Sequence, residues 1–418
     1  MRGPDRPADP DRPRLVVLGC GFGGYSLLSR LDPRHWDLTL VTPRNYFLFY
    51  PLLASATVGT VEFRSILEPA QRRLEGVRVL EAEATAVDFE ARRVACRAAV
   101  GEDRFEVPYD LLVIAVGTAV ADFGIEGVAE HALKLKTVED ARAVRKGILD
   151  RFAAAEIPGL DDAEVERRLT FVVCGGGPTG VEVAAELHDL LDRELTQAHP
   201  QLARRARVIV VEALPRLLSG FDEALAGYTQ EHFAREGVEV RTEAPVRRVE
   251  AGCVHLEGGE RIPCGLVVWA LGNAPVPLVE GLDAAKTENG RLVVDRHLRL
   301  AGRPGVYALG DCATFGDAPL AATAQVAQQQ GKYLARALER ERRGKTVKPF
   351  EFHSFGMLAY IGGGRALADL PGVKWSGRTA WLFWRSVYLT KLVSLANKVK
   401  VLFDWVKGRL FGRDLSRF

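Results

Sequence analysis

The sequence predicts an α/β protein in which two Rossmann-like dinucleotide-binding domains are followed by a C-terminal helical module. Three observations support this fold class. A glycine-rich loop follows a short apolar run near the start of the chain, a second copy of this arrangement occurs near the middle, and the C-terminal segment is basic with an apolar stripe. A chain of 418 residues can also bury more than one hydrophobic core.

The first glycine-rich loop directly follows a predicted parallel strand. Residues 15–18 are wholly apolar, which is typical of a buried strand. In the pattern G-x-G-x-x-G, the first glycine makes a tight turn, the second lets backbone approach a pyrophosphate, and the third lets helix and strand pack closely. The glycines of this loop are Gly19, Gly21, Gly23 and Gly24.

The second loop repeats this pattern after residues 170–173, of which 171–173 are apolar. Its candidate ligand-binding residues are Gly175, Gly177, Thr179 and Gly180. One match is weak in a chain with 41 glycines, because it could be an ordinary glycine turn. Two matches, each between an apolar run and a predicted helix, indicate two dinucleotide sites.

Further apolar runs complete the two domains. Residues 38–41 and 208–211 supply the second strand of each βαβ unit. Three other runs end in Gly117, Gly272 and Gly310, as expected where backbone approaches a ligand. We assign residues 1–12 to a disordered lead-in, 13–125 and 290–345 to the first domain, 126–289 to the second, and 346–418 to the C-terminal module.

Polar residues after these strands indicate which nucleotide each domain binds. Glu212 follows the run 208–211 and could accept hydrogen bonds from an adenosine ribose, which favours NAD over NADP. Nearby Arg216 leaves binding of NADP as an alternative, because an arginine can pair with its 2′-phosphate. The first domain has Thr42 at the corresponding place. Asp311 could bind the ribityl or pyrophosphate part of a flavin there, or could simply cap a helix.

Composition excludes several other classes of protein. The net charge of +2 gives no reason to expect a nucleic-acid partner. The six cysteines form no C-x-x-C pair and no metal-ligand spacing with histidine, so we predict neither a metal site nor dithiol redox chemistry. They favour a reducing compartment.

The C-terminal segment differs from the rest of the chain in charge. Residues 374–418 contain ten basic and two acidic side chains, a balance of +8 that leaves about −6 for the preceding residues. A helical stripe of Val399, Leu402, Phe403, Val406 and Leu410 is flanked by lysines and arginine, and Trp381, Trp384 and Tyr388 lie upstream. This pattern indicates peripheral binding to anionic lipid, since no transmembrane helix is predicted. Docking of this helix on the protein's own core, or in a homodimer, is the alternative.

Several longer motifs resemble those of the type II NADH dehydrogenases, the NADH:quinone oxidoreductases that do not pump protons. They are T-P-R-N-Y-F-L-F-Y-P-L-L at 42–53, G-G-P-T-G-V-E at 176–182, W-A-L-G-N at 269–273, G-D-C-A at 310–313 and A-Q-V-A-Q-Q-Q-G at 324–331. The resemblance covers nearly the whole chain. It implies FAD in the first domain and NADH in the second.

The same resemblance implies roles for individual residues. Thr42, Arg44 and Asn45 match a segment in which the usual acid is absent from the flavin domain. Glu182 matches a glutamate near the nicotinamide, although an acid early in a helix also suits the helix dipole. Gln325 and Gln329 match a quinone-site motif and lie on one helix face. Trp269 is expected to be core.

The implied reaction is oxidation of NADH through FAD with two-electron reduction of a membrane quinone. A sulfide:quinone oxidoreductase is the nearest alternative enzyme, but it needs redox cysteines beside the flavin, and Cys312 alone has a suitable position. A non-enzymatic flavoprotein that senses NADH is the other alternative. The N-terminal residues do not resemble a presequence, which favours the cytoplasmic face of a bacterial inner membrane over a mitochondrial inner membrane.

Overall fold

The computed structural model describes residues 12–417. The predicted lead-in therefore lies outside the described residues, apart from Arg12. The α/β fold class predicted from the sequence is confirmed. Within residues 12–417, no helix combines the length and apolarity needed to cross a membrane.

The strands are numbered in chain order. They are β1 (Arg14–Leu18), β2 (Asp37–Thr42), β3 (Tyr46–Leu48), β4 (Leu67–Pro69), β5 (Val77–Asp88), β6 (Arg93–Ala98), β7 (Arg104–Pro108), β8 (Leu111–Ile114), β9 (Leu133–Lys134), β10 (Thr170–Cys174), β11 (Arg207–Val211), β12 (Glu239–Arg241), β13 (Val246–Glu250), β14 (Cys253–Leu256), β15 (Arg261–Pro263), β16 (Leu266–Trp269), β17 (Leu292–Val294), β18 (Val306–Ala308), β19 (Ala313–Phe315), β20 (Met357–Gly362), β21 (Arg365–Leu370) and β22 (Val373–Gly377).

The helices are numbered in the same way. They are α1 (Phe22–Leu28), α2 (Leu53–Thr57), α3 (Ala70–Arg73), α4 (Val128–His131), α5 (Val138–Ala155), α6 (Asp162–Arg168), α7 (Pro178–Leu190), α8 (Thr196–Ala198), α9 (Pro200–Ala203), α10 (Glu223–Glu236), α11 (Pro277–Gly281), α12 (Ala324–Arg342), α13 (Arg378–Lys391) and α14 (Leu395–Phe411). Short 3-10 turns span Tyr50–Leu52, Phe63–Ser65 and Gly310–Cys312, and a π-helical turn spans Leu191–Leu195.

The first compact unit is built on a seven-stranded sheet and comprises residues up to 48, 67–119 and 273–354. Its strand order is β18-β8-β1-β2-β5-β6-β7, with parallel pairing from β18 to β5 and antiparallel pairing beyond. From β1 the chain continues to β2 on one side, and it later returns to β8 on the other side of β1. The loop after β1 is therefore at a topological switch point, where such sheets bind ligands.

The second compact unit comprises residues 49–66, 120–272 and 355–418. Its parallel sheet has the order β12-β11-β10-β16-β9, so β10 has the central position that β1 has in the first unit. The antiparallel sheet β13-β14-β15 packs its buried valines against this sheet. Residues 49–66, which the sequence analysis assigned to the first domain, cluster with this second unit.

The C-terminal residues of the second unit form a small antiparallel sheet, β20-β21-β22, followed by α13 and α14. Helix α13 buries Ala380 and Trp384, while α14 buries Val401 and Trp405 and begins at a cap in which the side chain of Ser394 accepts a hydrogen bond from Asn397 N. The prediction that Trp384 faces a membrane interface is wrong, because its ring packs against those of Tyr360, Tyr388 and Trp405 in the interior. Residue spacing alone could not distinguish these two environments.

Candidate functional site

The first glycine loop connects the buried strand β1 to α1. Gly19 has φ of +99°, and a side chain there would also collide with the carbonyl oxygen of Ala115, so this position requires glycine. A Cβ at Gly24 would lie 2.0 Å from Gly19 O, which explains how the helix closes onto the loop. Gly21 begins the helix, and a Cβ there would meet no heavy atom within 4 Å. Backbone at the start of α1 is therefore open to a phosphate ligand.

Helix α12 packs directly on α1 behind this loop. A Cβ at Gly23 would lie 2.2 Å from Leu309 Cδ1, and a Cβ at Gly331 would lie 2.3 Å from Gly23 O. Small residues at both positions allow the two backbones to approach closely. This contact places the N-terminal half of α12 in the same unit as the loop.

The residues after β2 form a polar turn. Thr42 is buried, and its hydroxyl donates a hydrogen bond of 3.0 Å to Arg44 O. Arg44 and Asn45 are exposed, and Asn45 O accepts from Ala70 N at 2.8 Å. The Thr42 hydroxyl therefore fixes the turn, while the side chains of Arg44 and Asn45 are accessible to a ligand.

Gly310 and Asp311 follow β18 in a 3-10 turn that is held from two sides. The Gly310 N–H donates to Gln330 Oε1 at 2.7 Å, and the guanidinium of Arg291 donates to Asp311 O, Ala313 O and Leu320 O at 2.6–2.9 Å. Asp311 is partly exposed, and Gly117, at the end of β8, has an open approach. Arg291 thus braces the main chain of the turn.

Gln330 is a candidate site residue that could not be singled out from the sequence. It is fully buried, and its side-chain Nε2 makes no hydrogen bond within the described part of the chain. A buried N–H group without an acceptor costs free energy, so it marks a place where a polar ligand fits. The signal available in the sequence was its position between Gln329 and Gly331 in the family motif at 324–331.

The two predicted quinone-site glutamines have different surroundings. Gln329 forms a reciprocal pair with the backbone of residue 353: its Nε2 donates to His353 O at 2.8 Å, and its Oε1 accepts from His353 N at 3.1 Å. Gln325 is partly exposed one turn earlier on α12. Gln329 therefore anchors residue 353 to α12 on the helix face that also carries Gln325.

The second glycine loop reproduces the geometry of the first. Gly175 has φ of +117°, a Cβ at Gly180 would lie 1.9 Å from Gly175 O, and Gly177 begins α7 with open space where a Cβ would be. Thr179 is partly exposed in the first turn of the helix. The duplication seen in the sequence is thus a duplication of backbone geometry, and each loop has the properties of a pyrophosphate site.

The Glu212 side chain contacts the second glycine loop directly. Its Oε2 accepts from Gly176 N at 2.6 Å, its Oε1 accepts from Leu214 N at 2.8 Å, and the side chain is 8% exposed. Each carboxylate oxygen keeps a further lone pair for a ribose hydroxyl. Gly272 follows β16 and packs against Phe123, and Trp269 is fully buried with its indole N–H donating to Ala121 O at 2.8 Å.

Glu182 is the first of three acids on one side of α7, and Glu186 and Asp189 are the others. The Glu182 carboxylate accepts from Tyr360 N at 3.1 Å, and the Trp384 indole approaches it without a full hydrogen bond. Burial raises the pKa of Glu182 to about 8, the Tyr360 N–H opposes this shift, and the charge of Glu186 adds to it. Glu182 therefore holds a proton near neutral pH and is poised to exchange it.

All six cysteines are buried and unpaired. Burial raises the pKa of the Cys312 thiol to about 11, and this thiol faces the carbonyl oxygens of Leu309 and Ile114 at 3.3 and 3.6 Å. Burial likewise raises the pKa of Cys20 to about 12. These thiols are neutral at physiological pH, unlike the thiolates that carry out disulfide and sulfide chemistry.

Two family models match the chain. One, described as pyridine nucleotide-disulphide oxidoreductase, matches residues 13–331, and the other, described as NDH2 C-terminal domain, matches residues 355–414. The first match includes both glycine loops and the glutamine segment of α12. The second match includes β20 to β22, α13 and α14.

Individual proteins are similar over almost the full length. The probable NADH dehydrogenase of Dictyostelium discoideum is 39% identical over 411 residues, with 97% of this chain and 91% of the relative covered. The external alternative NADH-ubiquinone oxidoreductase of Yarrowia lipolytica mitochondria is 38% identical over 480 residues, covering 98% and 82%. The structure of NDH2 from Plasmodium falciparum in complex with NADH has a TM-score of 0.93 at 26% identity, covering 97% of this chain and 100% of that chain.

Proposed function

The chain belongs to the type II NADH dehydrogenases, and from this premise we propose that it oxidises NADH through FAD and reduces a membrane quinone without pumping protons. The observation that carries the proposal is the pair of glycine loops with matching backbone geometry, one in each compact unit. Two such loops supply two dinucleotide sites, as the transfer of electrons from one nucleotide cofactor to another requires.

The first loop, with Gly19, Gly21 and Gly24, is proposed to hold the FAD pyrophosphate at the start of α1. Asp311 is suited to hydrogen-bond the ribityl or pyrophosphate portion, and Arg44 and Asn45 can reach the adenosine end. The buried Gln330 amide fits a polar acceptor on the flavin, since its N–H group has no acceptor in the described chain. Bound FAD supplies the two-electron chemistry.

The second loop is proposed to bind NADH. The backbone at Gly177 and the hydroxyl of Thr179 can contact its pyrophosphate, and Glu212 can accept from its ribose while holding Gly176 in place. Glu212 also disfavours the 2′-phosphate of NADPH by charge repulsion. Glu182 is proposed to hold a proton on its carboxyl oxygen near the nicotinamide and to exchange that proton during turnover, which its raised pKa of about 8 allows at neutral pH.

The quinone is proposed to bind at the start of α12. The Gln325 amide is proposed to donate to a quinone oxygen, since Gln325 is partly exposed in the first turn of α12. The Gln329 amide holds the backbone of His353. Gln329 would then support the site by holding residue 353 close to the helix. The relatives named as ubiquinone oxidoreductases support a quinone as the acceptor.

The state of the cysteines is an argument against sulfide oxidation. A sulfide:quinone oxidoreductase depends on reactive thiolates, whereas burial raises the pKa of Cys312 well above its ordinary value. Cys312 also packs against carbonyl groups of its own turn instead of opening towards a substrate.

Anaerobic stopped-flow spectroscopy of the two half-reactions tests the proposal. NADH should bleach the flavin rapidly, and a quinone analogue should then restore its colour. Gln325→Ala should slow reoxidation by quinone about tenfold or more, as expected for loss of a hydrogen bond to a charged or strongly polar group, and should leave reduction by NADH unchanged. Gln328→Ala, on the same helix, is the matched control.

A flavin that NADH cannot reduce would show that the protein binds NADH as a sensor instead of turning it over. Rapid reduction by sulfide but not by NADH would contradict the proposal in favour of the alternative enzyme. If both half-reactions of Gln325→Ala match those of the parent protein, the quinone site lies elsewhere.

We further propose that α14 binds the protein peripherally to the membrane. Its exposed apolar side chains are Leu395, Val399, Leu402, Phe403, Val406, Leu410 and Phe411, each 49–83% exposed. On the buried side of α14, the Asp404 carboxylate accepts a hydrogen bond from Glu62 N at 3.0 Å within the same unit. Lys407, at the edge of the exposed stripe, pairs with Glu62 at 2.7 Å. Basic residues near the stripe suit anionic lipid.

The exposed stripe could also form the contact of a homodimer, which is the alternative. Its flanking lysines favour membrane attachment instead. The cytoplasmic face of a bacterial inner membrane is the proposed location, with a mitochondrial inner membrane as the alternative. The Yarrowia relative is named as mitochondrial, which supports the alternative.

A further inference from the structure

We infer that Arg413, in the short segment after α14, is a positioning residue for Glu182, because it keeps Glu186 as a carboxylate and so determines which acid of α7 exchanges a proton. The inference rests on the proposed function, in which Glu182 is that acid. It gives the C-terminal segment a part in the reaction, in addition to its proposed contact with lipid.

The contact between Arg413 and Glu186 is a buried ion pair. Arg413 Nη2 lies 3.5 Å from Glu186 Oε2, Nη1 donates to Glu186 O at 3.2 Å, and the two side chains are only 7% and 3% exposed. Glu186 also accepts from Ser55 Oγ and Thr60 Oγ1, both at 2.6 Å. This set of donors is suited to an ionised carboxylate.

Neighbouring segments hold Arg413 in this position. Gly412, with φ of +76°, turns the chain after α14, and Arg145 of α5 donates to Asp414 O at 2.5 Å. Arg413 Nε also lies 3.8 Å from Glu194 Oε2. The C-terminal segment is thus attached to α5 through Asp414, and to α7 and the turn after it through Arg413.

Other titratable and charged groups face the acids of α7. They are Asp189 and Glu194 on α7 and the turn that follows it, Tyr360 of β20, and Arg385 and Tyr388 of α13. Asp189 accepts from the Tyr360 hydroxyl and from Gly363 N at 3.0 Å. Arg385 lies between the rings of Trp381 and Trp405, at 4.0 and 4.5 Å from their centroids. Arg413 is the cation that contacts Glu186 directly.

The ion pair affects Glu182 through the charge on Glu186. Glu186 is one helical turn from Glu182, and its negative charge helps to raise the pKa of Glu182. Burial raises the pKa of Glu186 overall, and the charge of Arg413 is the strongest influence that opposes this rise. Arg413, Ser55 and Thr60 together stabilise the carboxylate, and loss of Arg413 would therefore favour its protonated form. The repulsion on Glu182 would then vanish, and Glu182 would release its proton at lower pH.

The test compares Arg413→Gln, Glu186→Gln, their double variant and Arg413→Lys in the full flavin-loaded protein. Infrared difference spectra recorded across a pH series report the protonation of the buried carboxyl groups and give the pH midpoint at which Glu182 titrates. The pH dependence of stopped-flow flavin reduction by NADH gives the same midpoint from kinetics. The midpoint for Glu182 should fall by about one pH unit in Arg413→Gln and in Glu186→Gln. Arg413→Lys should retain it, and the double variant should shift it no further than Glu186→Gln.

Arg417→Gln is the matched control, because Arg417 lies in the same segment and pairs with Asp150 at 3.3 Å without contacting the acids of α7. An unchanged midpoint in folded Arg413→Gln and Glu186→Gln would overturn the inference. If Arg413→Gln does not fold, the double variant, in which Glu186 has no charge to be left unpaired, and Glu186→Gln decide the question. Glu182→Gln separates the two proposals: loss of the titration supports the assigned role of Glu182, and its persistence shows that the proposed function of Glu182 has failed.

Discussion

A single buried amide links the glutamine segment of α12 to the nucleotide site of the first unit. Gln330 holds the Gly310 N–H through its Oε1 and presents its unpaired Nε2 in a fully buried position. Gln329, the adjacent residue, points instead to the backbone of His353. Successive residues of a helix face directions about 100° apart, so one motif serves two separate purposes.

Replacing Gln330 should therefore weaken the binding of FAD. Gln330→Ala removes the acceptor for a buried backbone N–H and the donor proposed to face the flavin, at a cost of about 1–3 kcal/mol, or roughly tenfold or more in FAD affinity. Flavin content after purification and the FAD dissociation constant measure this effect. Gln328→Ala is the control, because Gln328 is partly exposed on the same helix. Equal flavin retention in both variants would contradict this role for Gln330.

At the scale of secondary-structure elements, the close contact of α1 with α12 depends on glycine. The contact brings the glycine loop, the Gly310 turn and the glutamines of α12 together within one unit. A Cβ at Gly331 would approach Gly23 O to 2.3 Å, and backbone cannot rotate away as a side chain can. The two helices must therefore separate if Gly331 is replaced.

Gly331→Ala should destabilise the protein by about 1–3 kcal/mol through overpacking and should reduce its flavin content. The measurement is the unfolding temperature together with the bound flavin. Gly227→Ala is the matched control: Gly227 lies in α10 with no heavy atom within 4 Å of the added Cβ, so alanine there should be neutral or stabilising by up to about 1 kcal/mol. A Gly331→Ala protein as stable as the parent would show that the helices tolerate wider spacing.

The sequence predicted the elements that local patterns encode. Strands β1 and β10 contain the apolar runs 15–18 and 171–173, and the glycine loops that follow them have the expected geometry. Contacts between distant segments could not be predicted in this way. The pairing of Arg413 with Glu186 spans 227 residues, and the burial of Trp384 depends on rings from other elements.

At the scale of the whole molecule, the C-terminal segment combines two kinds of contact that experiments must separate. The exposed face of α14 is apolar. Asp404 on its buried face, Lys407 at the edge of the exposed face and Arg413 after the helix bind other parts of the second unit. Truncation before Val399 would remove both sets together. A loss of membrane binding or of activity in a truncated chain could then be due either to the missing apolar face or to the missing contacts within the second unit.

Substitutions confined to the exposed face of α14 test lipid binding without this ambiguity. Phe403→Ser with Leu410→Ser removes two side chains that are 64% and 68% exposed, and because each apolar side chain contributes about 1.5–3 kcal/mol when buried, binding to vesicles that contain anionic lipid should weaken by about tenfold or more. Vesicle flotation measures this binding. Val100→Ser with Ile157→Ser, at exposed positions outside the C-terminal segment, is the matched control.

Flavin reduction by NADH should stay unchanged in the α14 variant, because Phe403 and Leu410 lie outside the proposed nucleotide sites. If the variant floats with vesicles as the parent does, and light scattering shows that it has changed from dimer to monomer, then α14 contacts a second copy of the chain and the lipid proposal is wrong.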